Sequence, residues 1–201
     1  MNAHDFTNSW LDHFEAVARP ASLPSTLDAA RDCIENVRAR GKKLMLAGNG
    51  ASATIASHYA LDFTKQVGVT AISFNDSALV TAFGNDYGYD HWVARAIEHF
   101  GHSGDAAVLI SSSGKSSNIV NAATLARDRG ISVLAFSGFD PDNALNQLGD
   151  VKCWVDSRAY NVVEAVHAMW LGVLCDLLIG KREYGVKDSS PSRLPTVVDG
   201  T

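Results

Sequence analysis

The chain has 201 residues, 46% hydrophobic and 19% charged, which favours a single domain with a substantial core. Its net charge of −5 leaves no broad basic field for nucleic acid or an anionic membrane, so neither is expected as a partner. Three widely spaced cysteines, Cys33, Cys153 and Cys175, argue against a disulfide framework, and a first segment without basic and apolar signal regions points to a cytoplasmic protein.

Residues 3–18 carry Phe6, Trp10, Leu11, Phe14 and Val17 at helical intervals on one face. That stripe has no evident partner in its own chain and is expected to pack on another subunit. After Pro20 and Pro24, Ser25 or Thr26 is expected to cap a second helix, with Leu27, Ala30, Cys33, Ile34 and Val37 inward and Gly41 as its stop. The pattern then alternates. Residues 43–47 (KLMLA) read as a strand running into GNGAS, followed by a helix to about Gln66. Residues 69–74 are a second strand, 77–83 and 91–100 short helices, and 106–111 (AAVLIS) a third strand ending in SSSGKSS. A helix over 117–129, a strand over 131–137, a short helix over 143–148, a strand over 151–155 and a long helix over 161–179 complete the pattern. No apolar stretch is read as long enough to span a bilayer.

Short apolar strands alternating with helices predict an α/β fold, a doubly wound parallel five-stranded sheet flanked by helices, with an N-terminal helical extension. The expected organisation is residues 1–42 as N-terminal helices for oligomer packing, 43–181 as the α/β domain, and 182–201 as a polar tail.

Ligands of doubly wound folds sit beyond the carboxyl ends of the strands. Two loops stand there. Gly48-Asn49-Gly50-Ala51-Ser52 lets backbone amides approach an anion ahead of a helix N-terminus; its bland reading is a serine-capped turn. Residues 111–117 place five serines, Gly114 and Lys115 between a strand and a helix, a set that can wrap a phosphate without a strong positive field. Neither loop is GxGxxG or a Walker loop, so no nucleotide cofactor is expected. His58 and Asp62 are spaced i, i+4 on one helix, and Glu164 and His167 i, i+3 on another. Two imidazoles and two carboxylates suit zinc or another divalent metal, or a metal-free acid and base. Each also has a structural reading, a hydrogen-bonded core histidine or a solvated carboxylate.

With GNGAS (48–52), HYALD (58–62), GNDYGYD (84–90), SSSGKS (111–116) and NVVEAVHAMWLG (161–172), the sequence resembles the sugar isomerase (SIS) domain family, and within it the phosphoheptose isomerases. The resemblance runs over about residues 5–180. It implies an aldose–ketose isomerase acting on a sedoheptulose 7-phosphate-like heptose phosphate. It also implies a homotetramer with sites between subunits, and zinc. By that resemblance Ser111, Ser112, Ser113, Lys115 and Ser116 hold the phosphate, and Asn49, Gly50, Ser52 and Asp86 the sugar. Asp62 is expected as the base within a catalytic set of Asp62, Glu164 and His167, with His167 or a metal as the electrophile; the resemblance places the metal on His58, Asp62 and Glu164, and His167 is the candidate to replace the lost histidine as its fourth ligand. The chain departs from the family pattern at Asp62 (glutamate expected), Glu164 (glutamine), Gln66 (arginine) and Gly172 (the catalytic histidine). These departures favour the alternative, a non-catalytic SIS module that binds sugar phosphates or a protein partner, as a replication-initiation regulator of similar fold does.

Overall fold

The computed structural model describes residues 2–182, so all but the first residue of the polar tail lies outside the described residues. The elements in chain order are α1 (Ala3–Ala18), α2 (Leu23–Ala39), β1 (Leu44–Gly48), α3 (Ala51–Asp62), a π-helical turn (Phe63–Val67) and β2 (Ala71–Ser73). There follow α4 (Ser77–Tyr87), α5 (Trp92–Phe100), β3 (Ala106–Ser111), α6 (Ser117–Asp128), β4 (Ser132–Gly138), α7 (Ala144–Leu148), β5 (Val151–Val155) and α8 (Tyr160–Ile179).

All five strands are parallel, in the order β2-β1-β3-β4-β5. Met45 lies beside Ala107, and Ala107 beside Val133. Successive side chains of a strand point to opposite faces. Leu44, Leu46, Val108, Ile110, Leu134 and Phe136 enter one core layer beneath α1, α2, α3 and α8. Met45, Ala47, Leu109, Val133 and Ala135 enter the other, beneath α5, α6 and α7. Both faces are covered, which is why the strands read as unbroken apolar runs.

Several boundaries differ from the sequence expectation. α2 begins at Leu23 rather than after Ser25, because Pro24 sits in its first turn, where a missing N–H costs nothing. α4 continues through Gly84, Asn85 and Asp86, expected as a loop, since the Asp76 cap starts it well and only Gly88 stops it. β2 shrinks to three residues at the sheet edge. The stripe on α1 is partly covered by its own chain. Trp10, Phe14 and Val17 pack on the core, and Trp170 Nε1 donates to the Ala18 carbonyl at 2.9 Å, while Phe6 and Leu11 remain exposed. α8 has 20 residues and a mean hydropathy of 1.8, long and apolar enough to cross a membrane by length and composition, contrary to the expectation. Its Val163, Val166, Trp170, Leu171 and Leu174 are instead the core of the sheet's first layer.

Candidate functional site

The strand order reverses between β1 and β3, and the crevice beyond their carboxyl ends lies between the two predicted loops. The first loop leaves β1 at Gly48, where a Cβ would come within 2.6 Å of Ser52, so only glycine lets the chain fold back into α3. Ser52 is buried beneath this turn. Gly50 heads α3 with a φ of +56°. Asn49 bridges the crevice. Its Nδ2 donates to Asn118 Oδ1, and Asn118 Nδ2 donates back to Asn49 Oδ1, both at 2.9 Å. Asn118, not among the expected site residues, is buried in the first turn of α6; an asparagine directly after the serine run, at the helix start, was its only signal.

Tyr89 donates its hydroxyl to Asn49 Oδ1 at 3.0 Å. From the 84–90 stretch it is therefore Tyr89 that reaches the crevice. Asp86 is exposed in the last turn of α4, where it accepts from Asn85 Nδ2.

The serine loop curls over the N-terminus of α6. Ser111 Oγ and Ser116 Oγ lie 3.0 Å apart, and the Lys115 amide donates to Ser113 Oγ at 3.3 Å. Hydroxyls and a helix N-terminus together form a cradle for an anion. Lys115 does not point freely into it. Its Nζ donates to Asp140 Oδ2 at 2.8 Å, and Arg158 clasps the same carboxylate. The Lys115 hydrogen bond and the Arg158 charge hold the Asp140 carboxyl below its usual range. Glu164, one turn into α8, accepts from Ser112 Oγ at 3.5 Å and is the carboxylate beside the loop.

The four residues expected to converge on zinc do not converge within one chain. His58 is largely exposed and pairs with Asp62 at 3.3 Å toward the far end of α3, about 9 and 15 Å along the helix from Ser52 at 1.5 Å per residue. His167 is fully buried. Its Nε2 meets the Ser137 carbonyl at 3.1 Å, its ring stands edge-on to Phe136, and its Nδ1 is buried without a partner. Burial lowers its pKa to about 4, so it is held as a neutral histidine in the core. Among the described residues no three histidine, cysteine, aspartate or glutamate side chains are placed to share a metal ion, so a single chain does not fit zinc.

Gly172, where the resemblance implies a histidine, faces α3. A Cβ there would lie 3.1 Å from the Tyr59 hydroxyl, which donates to the Ala168 carbonyl at 2.5 Å. Burial, with Cys175, Asp62 and Asp176 nearby, pushes the Tyr59 pKa up to about 12, so Tyr59 holds its proton. A cavity of about 760 Å³ at the other end of α8, lined by Val173, Asp176 and Leu177, is remote from the two loops.

The model of the SIS domain matches residues 6–138. The chain is 31% identical over 176 residues to the phosphoheptose isomerase of Aliarcobacter butzleri (strain RM4018), covering 84% of this chain and 93% of that protein. It is also 31% identical over 170 residues to the DnaA initiator-associating protein DiaA of Edwardsiella ictaluri (strain 93-146), covering 81% and 87%. Among solved structures, phosphoheptose isomerase GmhA from Neisseria gonorrhoeae superposes with a TM-score of 0.79 at 27% identity, covering 88% of this chain and 96% of that one. A phosphoheptose isomerase from Francisella tularensis gives 0.82 at 27%, covering 90% and 100%. A bridged crevice at the sheet's reversal, a serine cradle beside it and likeness over nearly the whole chain agree: this chain belongs to the SIS domain family.

Proposed function

We propose that the chain is an aldose–ketose isomerase acting on a phosphorylated sugar, a sedoheptulose 7-phosphate-like heptose phosphate, in the cytoplasm and as a homotetramer. The observation that carries the reading is the serine cradle on the α6 N-terminus with a carboxylate, Glu164, beside it. The relatives named phosphoheptose isomerase, matched over most of both chains, supply the substrate class.

In this reading the phosphate anchors on Ser111, Ser112, Ser113 and Ser116, and its binding orients the remote reacting carbons. Asn49 and Asn118 present amides to the sugar hydroxyls. Isomerisation moves one proton between adjacent carbons. A carboxylate takes the proton from the carbon next to the carbonyl and the electron pair forms an enediolate; a proton passes from the neighbouring hydroxyl oxygen to the former carbonyl oxygen, and the carboxylic acid returns its proton to the former carbonyl carbon as the new carbonyl forms. Glu164 has this role within one chain. Asp62, with His58, is the second carboxylate and serves a site that a neighbouring subunit completes. Zinc requires ligands from more than one chain.

The experiment is an isomerase assay over a panel of ketose phosphates, with and without added zinc, coupled to solvent proton exchange at the carbon next to the carbonyl. Turnover that falls in Glu164→Gln or Asp62→Asn assigns the base. Binding without turnover or exchange on any substrate overturns the isomerase.

A second reading has a specific observation behind it. Gly172 stands on α8 where the resemblance implies the catalytic histidine, and the DiaA relative is named for association with an initiator protein. A non-catalytic module that binds sugar phosphates or a protein partner gives that second result.

A further inference from the structure

The serine cradle closes on itself through the Gly114 amide, which donates to the Ser111 carbonyl at 2.9 Å. It is also braced from behind. The Ser112 carbonyl accepts from the Gly138 amide at 2.9 Å, and the Gly114 carbonyl accepts from the Leu145 amide at 3.0 Å. In a trans peptide the carbonyl and the following N–H point in opposite directions. Tethering these two carbonyls therefore turns the amides of Ser113 and Lys115 the other way, toward the mouth of the cradle.

One side chain organises the segment that makes both tethers. Asn143 is 3% exposed, although it lies on a connection between β4 and α7. Its Nδ2 donates to Ser137 Oγ at 3.1 Å and to the carbonyls of Gly138 at 3.1 Å and Asp140 at 2.7 Å. Its Oδ1 accepts from the Asn146 amide at 2.9 Å, capping α7. Gly114 lies flush on this amide. With φ at +64°, a Cβ at Gly114 would come within 1.8 Å of Asn143 Oδ1 and 2.1 Å of its Cγ. The serine loop thus rests on Asn143 at its tightest bend, and Asn143 ties that contact to the end of β4 and the start of α7.

We propose that Asn143 is the positioning residue of the phosphate cradle, setting the affinity for the phosphate end of the substrate while taking no part in proton transfer. This rests on the phosphosugar reading above. A buried polar hub would be satisfied equally well by binding fewer elements. Here it joins the end of β4 and the start of α7, the two points from which the serine loop's carbonyls are tethered, and that loop is the one read as anion-binding.

The test uses the full chain and sedoheptulose 7-phosphate, with binding by calorimetry and turnover measured separately, well below the melting temperature. Asn143→Ala and Gly114→Ala attack the same contact from opposite sides. Each is expected to weaken binding and raise KM by about tenfold or more while kcat stays within about threefold, because displacing a binding group by an ångström is felt chiefly by what it binds. A merely structural role lowers the melting temperature and leaves KM alone. Should Asn143→Ala fail to fold, Gly114→Ala carries the test. A third measurement needs no variant: hydrogen exchange at the Leu145 and Asn146 amides of the wild type slows when the sugar phosphate saturates. Folded variants with wild-type binding, a loss of kcat at unchanged KM, or exchange at these amides indifferent to ligand each overturn the proposal. A wild type that binds without turnover sinks only the isomerase; a wild type that binds no sugar phosphate overturns both.

Discussion

Glu164 is the residue whose charge makes two opposite predictions. Its carboxylate lies 3.5 Å from Ser112 Oγ, against the cradle that takes the phosphate. Two anions at short range repel by an amount that depends steeply on burial, so Glu164→Gln is expected to tighten sugar phosphate binding by about threefold to tenfold. The same change removes the base, and turnover falls by about a hundredfold or more. Calorimetry and the isomerase assay on one preparation separate the two effects; weaker binding in Glu164→Gln contradicts the placement. His167 makes a prediction about pH. Burial lowers its folded pKa to about 4, below the unfolded value of about 6.5. The unfolded chain therefore binds a proton between these values and the folded chain does not. Stability from this group is fully present above pH 6.5 and is lost as pH falls toward 4, by about 3 kcal/mol in all at 1.36 kcal/mol per unit. Urea unfolding at pH 7 and pH 5 reads it, and His167→Phe flattens the dependence in that window. The buried Cys153 thiol, pushed up to about 12, stays protonated and unreactive throughout.

Among the elements, α1 is the one held by least. Its inward residues are Trp10, Phe14, Val17 and Ala18, and the polar contact that fastens its end is Trp170 Nε1 to the Ala18 carbonyl. Trp170→Phe keeps most of the packing and removes that bond, so a loss of about 1–2 kcal/mol is expected. Amide exchange should rise in α1 before it rises in the sheet. At the other tight point, Gly48→Ala forces a methyl to within 2.6 Å of Ser52 and is expected to cost about 1–3 kcal/mol with displacement of α3. The alternation of apolar strands and helices was legible because the sheet is covered on both faces, and that pattern depends on burial alone. The serine run was legible as a loop between a strand end and a helix start for the same local reason. Asn118, Tyr89 and Asn143 were not, because each matters through a partner 6 to 69 positions away. For His167 the sequence left both readings open for a related reason. A histidine on an apolar helix looks alike whether its ring meets a metal or the Ser137 carbonyl, and only the packing of α8 on β4 decides.

For the whole molecule, three of the uncovered apolar residues sit on two neighbouring helices. Leu61 on α3 and Val173 and Leu177 on α8 are exposed, from helices that pack on each other. With 19% charged residues the surface has little to keep such a face in water. Under the homotetramer reading, Leu61→Glu combined with Leu177→Glu yields a smaller species by light scattering, with the fold retained by circular dichroism. A wild type that is already a monomer removes the shared-site role given to Asp62 and His58.

The reciprocal amide pair across the crevice carries a consequence of another kind. Asn49 and Asn118 each give and take one hydrogen bond in the same contact, and Asn118 is 2% exposed. Replacing Asn49 alone strands half of the Asn118 amide where water cannot reach it, whereas half-buried Asn49 keeps the Tyr89 hydroxyl on its Oδ1 when Asn118 is replaced. A lineage that changes position 49 first therefore passes through a damaged intermediate. The two positions, 69 residues apart, are expected to be inherited as one character, unchanged together or exchanged together.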